Sequence, residues 1–175
     1  NITIKNSKLY TEFSGDLINI KKANFALIEN CELIGNDQFD SDGIDYDQIN
    51  SGIIRGNKIY NIYGFNSDAI DLGEGAKNIL IENNIIFNVN DKGVSIGNGS
   101  SGIIKRNVIA NCGMGVGIKD HNSYGYILNN TFYGNQYAVA CFEKNIGEGG
   151  GKADVINCIL ADSKTSAILI DELSN

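Results

Sequence analysis

One pattern of apolar and polar positions recurs seven times along the chain: an aliphatic residue, two positions, a small polar residue, one position, and an apolar residue. It reads Ile4-Ser7-Leu9, Ile28-Cys31-Leu33, Ile54-Asn57-Ile59, Ile81-Asn84-Ile86, Ile104-Asn107-Ile109, Ile127-Asn130-Phe132 and Val155-Cys158-Leu160. The polar position returns at intervals of 24, 26, 27, 23, 23 and 28 residues. A second set of alternating apolar pairs keeps the same phase: Ile18/Ile20, Ile44/Tyr46, Ile70/Leu72, Val94/Ile96, Val116/Ile118, Val139/Cys141 and Ile168/Ile170. Alternation with one intervening residue is the period of a strand. The pattern predicts at least two short strands per repeat and a third after the polar position, as in Ile85-Ile86-Phe87 and Val108-Ile109, with Gly, Asn, Asp and Ser at the corners.

A unit of this length with several short strands cannot bury its apolar face alone. Stacked on its neighbours, each strand pairs with its equivalent about 4.8 Å away and the units share one core. The recurring polar residue then becomes an internal ladder of Ser7, Cys31, Asn57, Asn84, Asn107, Asn130 and Cys158. A buried carboxamide bonds to those above and below, and it must be fully satisfied or it costs energy. Leucine-rich repeats also carry an Asn ladder at similar periods. They are disfavoured here, because the second strand pair has its own full alternation and no stretch of 3.6 periodicity fits between ladders. The prediction is an all-β solenoid, a single-stranded parallel β-helix of about seven coils.

Composition changes the picture only at the margins. The 175 residues fit one domain, rich in Ile and Gly with no Pro, and no run approaches a membrane span. A net charge of −7 argues against a nucleic-acid partner and is compatible with cation binding. Cys31, Cys112, Cys141 and Cys158 fit no zinc spacing. Cys31 and Cys158 belong to the ladder and Cys141 points inward, whereas Cys112 falls at a corner without an assigned role. The chain opens inside a strand-like pattern and shows no caps at either end. It is therefore expected to be a mature form or a fragment, with flanking protein or with ends that associate.

In-phase alignment turns the repeats into columns of neighbouring side chains. Lys5, Glu29, Arg55, Glu82 and Lys105 alternate in charge at every step, which suits cross-strand ion pairing. Two further columns place Asp42, Asp45, Asp68 and Asp71 in a two-by-two grid, with Asp37, Asp40 and Asp47 nearby. Carboxylates this close repel, so one should take up protons more readily unless something neutralises it. A Ca²⁺ ion held by the four aspartates, Lys92 one coil on, or capping of corner amides would each serve. A shared proton between Asp45 and Asp71 would suit acid/base work. Beyond the strand, Gly73 and Gly97 leave room for a shallow groove between Asp71, Ser95, Lys119 and Asp120, and His121, the only histidine, follows.

The segments SDGIDYD, SDAIDLGEG, NDKGVSIGNGSS, GVGIKDHNS and LNNTFYGNQYAVACFEKN resemble the right-handed parallel β-helix proteins of the pectate-lyase-like superfamily, including a bacterial surface subgroup. The resemblance covers nearly the whole chain. It implies a right-handed coil, an exported protein at the cell surface or outside the cell, and an acidic polysaccharide or other glycan as partner. In the lyases of that superfamily the substrate lies along the face that carries the columns above. One expectation is a polyuronate lyase. Lys119 or Lys92 would be the base, with its pKa lowered by partial burial; His121 is another candidate base at neutral pH, and Asp120 stands beside Lys119. Ca²⁺ on the aspartate grid would neutralise the substrate. The chain lacks an Arg beside a Lys on this face and has no characteristic lyase signature. The other expectation is a non-catalytic spacer or adhesin module.

Overall fold

The computed structural model describes residues 1–174, and they form a stack of parallel coils without a helix. One sheet runs in the order β1 (Ile2–Lys5), β4 (Ala26–Glu29), β7 (Gly52–Arg55), β10 (Ile79–Glu82), β12 (Ser101–Lys105), β14 (Tyr124–Leu128) and β17 (Lys152–Ile156). A second runs through β2 (Lys8–Tyr10), β5 (Glu32–Ile34), β8 (Lys58–Ile62), β11 (Ile85–Ile96), β13 (Val108–Lys119), β15 (Thr131–Tyr133) and β18 (Ile159–Ala161). A third face joins β3 (Ile18–Lys21), β6 (Ile44–Asp47), β9 (Ile70–Gly73), the C-terminal halves of β11 and β13, β16 (Tyr137–Phe142) and β19 (Ser166–Ile170). Strands β11 and β13 turn the corner between the last two faces without a break, with a register irregularity between Val89 and Lys92.

The register is the one the repeat predicts. Ile28, Ile54, Ile81, Ile104 and Ile127 stand in one row and are wholly buried. Apolar burial of this kind stabilises by about 25 cal/mol per Å² removed from water. It works here only because each coil roofs the next.

The ladder supplies the corner. Nδ2 of Asn57, Asn84 and Asn107 each donates to Oδ1 of the next ladder Asn at 3.0 Å, and the same oxygen accepts the backbone N–H of the preceding rung at 2.9 Å. The second amide hydrogen goes to a backbone carbonyl of the coil before, Ile28, Ile54 or Ile81. Cys31 and Cys158 close the series, Cys31 by its backbone N–H on Asn57 Oδ1 and Cys158 by accepting the Asn130 N–H. In every coil the residue before the rung is left-handed: Asn6, Asn30, Gly56, Asn83, Arg106, Asn129 and Asn157 have φ between 51° and 66°. Asn enters this region most easily after Gly, which is why Asn crowds the corner.

The same device explains Cys112. At the second corner Ile62, Val89, Cys112 and Asn135 follow the left-handed Asn61, Asn88, Asn111 and Gly134. Asn135 Oδ1 accepts the Cys112 N–H at 2.8 Å and its Nδ2 donates to Ile109 O at 3.0 Å, so Cys112 is the inward neighbour of a single-rung ladder. Burial pushes its thiol up to about 12, as expected of an inert structural cysteine.

Asn84→Ala removes the acceptor of two Asn57 donors inside a dry core. We expect a loss of about 2–4 kcal/mol, from stranded buried donors at about 1–3 kcal/mol each, measured by urea unfolding.

Candidate functional site

The charged columns separate into structural and free groups. On the first sheet Lys5 and Arg55 both pair with Glu29, and Lys105 and Arg106 with Glu82. Their lysine and arginine hydrogen bonds hold both glutamates below the usual carboxylate range. This column stitches coils together, as its alternation predicts.

The aspartate grid divides in two. Asp16 Oδ1 accepts the Asp42 N–H at 2.8 Å, Asp42 Oδ1 accepts the Asp68 N–H at 2.6 Å, and Asp68 Oδ1 accepts the Lys92 N–H at 2.9 Å. Asp42 and Asp68 are therefore coil-to-coil caps of corner amides. Burial, then the charge of Asp68, raises the pKa of Asp42. Lys92 is 2% exposed, with Nζ 3.1 Å from Asp68 Oδ1 and 2.5 Å from Asp91 Oδ2. Burial alone would lower its pKa, but Asp68 and Asp91 outweigh it and the pKa is raised. That corrects the expectation of a lowered pKa at Lys92: its ammonium is held charged and serves as a buried counter-ion.

Asp45 and Asp71 face outward from adjacent strands β6 and β9. Asp45 accepts from Asn19 Nδ2 at 2.9 Å and lies 3.5 Å from Lys21 Nζ. Burial, then Asp47 and Asp71, pushes Asp45 up to about 7, so it can carry a proton near neutrality. Asp71 Oδ1 and the wholly buried Ser95 Oγ, neighbours in register, have no hydrogen-bond partner among the described residues. Lys119 Nζ stands 3.8 Å from Asp71 Oδ1, a charge contact too long for a hydrogen bond. Its stem lies across Gly97, where a Cβ would come within 2.5 Å of Lys119 Cε. Lys92 lies across Gly117 in the same way, with a Cβ there 2.7 Å from its Cδ. The expected groove at Gly97 is thus filled by the lysine of the next coil.

A lysine that the column reading passes over completes the cluster. The loop after β16 brings Lys144 Nζ to 2.9 Å from Asn66 Oδ1, at the turn before β9. Partial desolvation, then the ammonium groups of Lys119 and Lys92, lowers its pKa. Asp120 anchors that loop. Its Oδ1 accepts the N–H groups of Lys144 and Asn145 at 2.8 and 2.9 Å, and its Oδ2 accepts Asn145 Nδ2 at 2.7 Å. Asp120 is 2% exposed, and these bonds fix the backbone that carries Lys144. His121 is exposed and lines a cleft of about 480 Å³ with Glu74, Asn98, Asp120, Asn145 and Glu148, a cleft that neither Lys119 nor Asp71 lines.

The calcium expectation needs the four aspartates to converge. Asp42 and Asp68 spend an oxygen each on backbone amides and Asp68 faces Lys92. Among the described residues no three His, Cys, Asp or Glu side chains form a metal-holding group. As arranged, the grid does not fit a resident cation.

Residues 1–175 match the family described as "Right handed beta helix region", and the chain belongs to that family. Among solved structures it is similar to the A-module of the mannuronan C-5 epimerase AlgE4 from Azotobacter vinelandii, at 15% identity and a TM-score of 0.49, covering 99% of this chain and 57% of that one. No curated protein matches the chain. Among the described residues no helix is long and apolar enough to cross a membrane.

Two outcomes follow for this site. Lys92→Met leaves Asp68 buried without its counter-ion and is expected to cost about 3–5 kcal/mol in chemical unfolding, while Lys92→Met with Asp68→Asn, which keeps an acceptor for the backbone N–H of residue 92, recovers most of the loss. Asp45 holds its proton in the folded state at pH values where the unfolded chain has released it. Stability therefore falls as pH rises from the ordinary aspartate range to about 7. Asp45→Asn should flatten that slope, read from urea midpoints across the window.

Proposed function

We propose that this β-helix binds an acidic, uronate-containing polysaccharide along the face built by β6, β9, β11, β13 and β16, and cleaves it by β-elimination. One observation carries the reading. On a chain of net charge −7, Lys119 Nζ stands 3.8 Å from Asp71 Oδ1, which has no hydrogen-bond partner among the described residues, and Lys144 lies close enough to Lys119 to feel its charge. Buried polar groups are normally satisfied, so an unpartnered carboxylate oxygen in a part-exposed side chain beside two lysines suits a ligand rich in hydroxyl and carboxylate groups.

In this reading Lys119 receives the uronate carboxylate and draws charge from the carbon next to it. Lys144, with its lowered pKa, takes the proton from that carbon. The electron pair forms the C4–C5 double bond, the bond from C4 to the glycosidic oxygen breaks, and protonated Asp45 gives its proton to the leaving oxygen. Asp71, whose side chain is 23% exposed, binds a sugar hydroxyl. A polymeric substrate of this kind puts the protein at or outside the cell surface. A non-catalytic spacer is the second reading, favoured by the hydrogen bonds that commit Asp42, Asp68, Lys92 and Asp120 to the scaffold.

The test is the ultraviolet absorbance of unsaturated uronate products on a panel of polyuronates. Lys144→Ala is expected to lower turnover at least about 100-fold, the scale of general base catalysis, with binding retained. Lys119→Ala should weaken binding itself. Activity should survive EDTA. Absence of product from every polyuronate, with binding intact and sensitive to Lys119, would leave a glycan-binding module; absence of both would leave the spacer.

A further inference from the structure

Phe13, Phe39 and Phe65 recur at a spacing of 26 residues and are 78%, 63% and 78% exposed. Such exposure of a ring in three successive coils is unusual, since each ring offers a large apolar area to water. Phe39 and Phe65 stack, with centroids 5.9 Å apart and ring planes 16° from parallel. The turn that presents them is fixed. Asp40 and Asn66, each directly after its Phe, are left-handed at φ 51° and 57°. The Asp40 N–H donates to Phe65 O at 3.0 Å, and Asn66 Nδ2 donates to Asp40 Oδ1 at 2.6 Å. Ser67 Oγ, one residue on, accepts the Ser41 N–H at 2.9 Å. The rings therefore stand out from a hydrogen-bonded wall.

That wall adjoins the lysine cluster. Asn66, which follows Phe65, is the residue that accepts Lys144 Nζ. We propose that Phe39 and Phe65 form a platform on which a pyranose ring of the polysaccharide stacks, one or more sugars from the residue held by Lys119. The inference rests on the glycan reading above. The physical case is general. A pyranose presents a face of axial C–H bonds, weakly positive and poorly hydrated, and an aromatic ring presents a negative face of matching size. A stacked aromatic pair next to the residue that holds Lys144 matches a ligand that alternates apolar ring faces with charged groups. A protein partner would instead require a wider apolar patch, and here the flanking Asp37, Asp40 and Asn66 are polar.

The chain has no Trp, so Phe65→Trp introduces a single indole at the platform. Titration with polygalacturonate and polymannuronate oligosaccharides of increasing length should change its emission, with the midpoint that calorimetry gives for the same oligosaccharide. Phe39→Ala combined with Phe65→Ala should weaken binding of the longer oligosaccharides about tenfold, leave the shortest bound as before, and leave thermal stability unchanged. Unaltered emission while calorimetry records binding, or unaltered affinity in the double variant, overturns the platform and spares the glycan reading. Emission that responds to protein concentration and not to oligosaccharide also overturns it, since the rings then serve self-association. If no oligosaccharide binds the unaltered protein and Lys119→Ala changes nothing, the glycan reading fails and the platform with it.

Discussion

A carboxamide among aliphatic side chains is tolerable only when both of its hydrogens and its oxygen are engaged, and the rest of this molecule follows from meeting that condition. Each ladder Asn satisfies the rung before it, a carbonyl of the coil before, and a backbone N–H. This works only if successive coils are in exact register, so the ladder sets which isoleucines meet and which side chains share an outward row. The left-handed residue before each rung is the conformational requirement for turning the corner there. Register on the outer faces, where no core enforces it, is inherited from this interior row.

The outer face divides because capping and free carboxylates alternate along the same strand. Asp42 and Asp68 sit where the backbone amides of the next coil point at them, and they are absorbed by the scaffold. Asp45 and Asp71, three residues later in each coil, point away from the backbone. Three residues of sequence thus separate a carboxylate that caps a backbone amide from one whose partners are side chains. The same division applies to the lysines. Lys92 lies between two carboxylates and is spent, whereas Lys119 only approaches one.

Most of the architecture was legible in the sequence, because a repeat writes each contact several times over. The apolar rows, the ladder with its smaller ends, the three-strand coil and the alternating ion-pair column all appear in the structure in the predicted phase. What was not legible has one physical origin. Column reading assumes that each coil contacts only its neighbours, and Lys144 breaks that rule by reaching from the loop after β16 to the turn before β9. No periodic signal marks it. The commitment of Asp120 was hidden for the same reason, since its partners lie in that loop. The Phe13, Phe39 and Phe65 column, by contrast, was present in the spacing and could have been found by aligning aromatic residues as well as charged ones. The role of Cys112 needed Asn135, a rung that occurs once and so leaves no pattern.

The glycines beneath the lysines have a wider meaning. A coil that lacks a Cβ on its outer row offers a trough one side chain deep, and the charged residue of an adjacent coil lies down in it, as Lys119 does over Gly97 and Lys92 over Gly117. The depth at which an ammonium group rests, and so how much water surrounds it, is thereby written in a residue of another coil. Solenoid sequences can be searched for this offset: a glycine in an outward row, with a long charged residue one repeat away, marks a cation whose solvation is set by its neighbour's missing side chain.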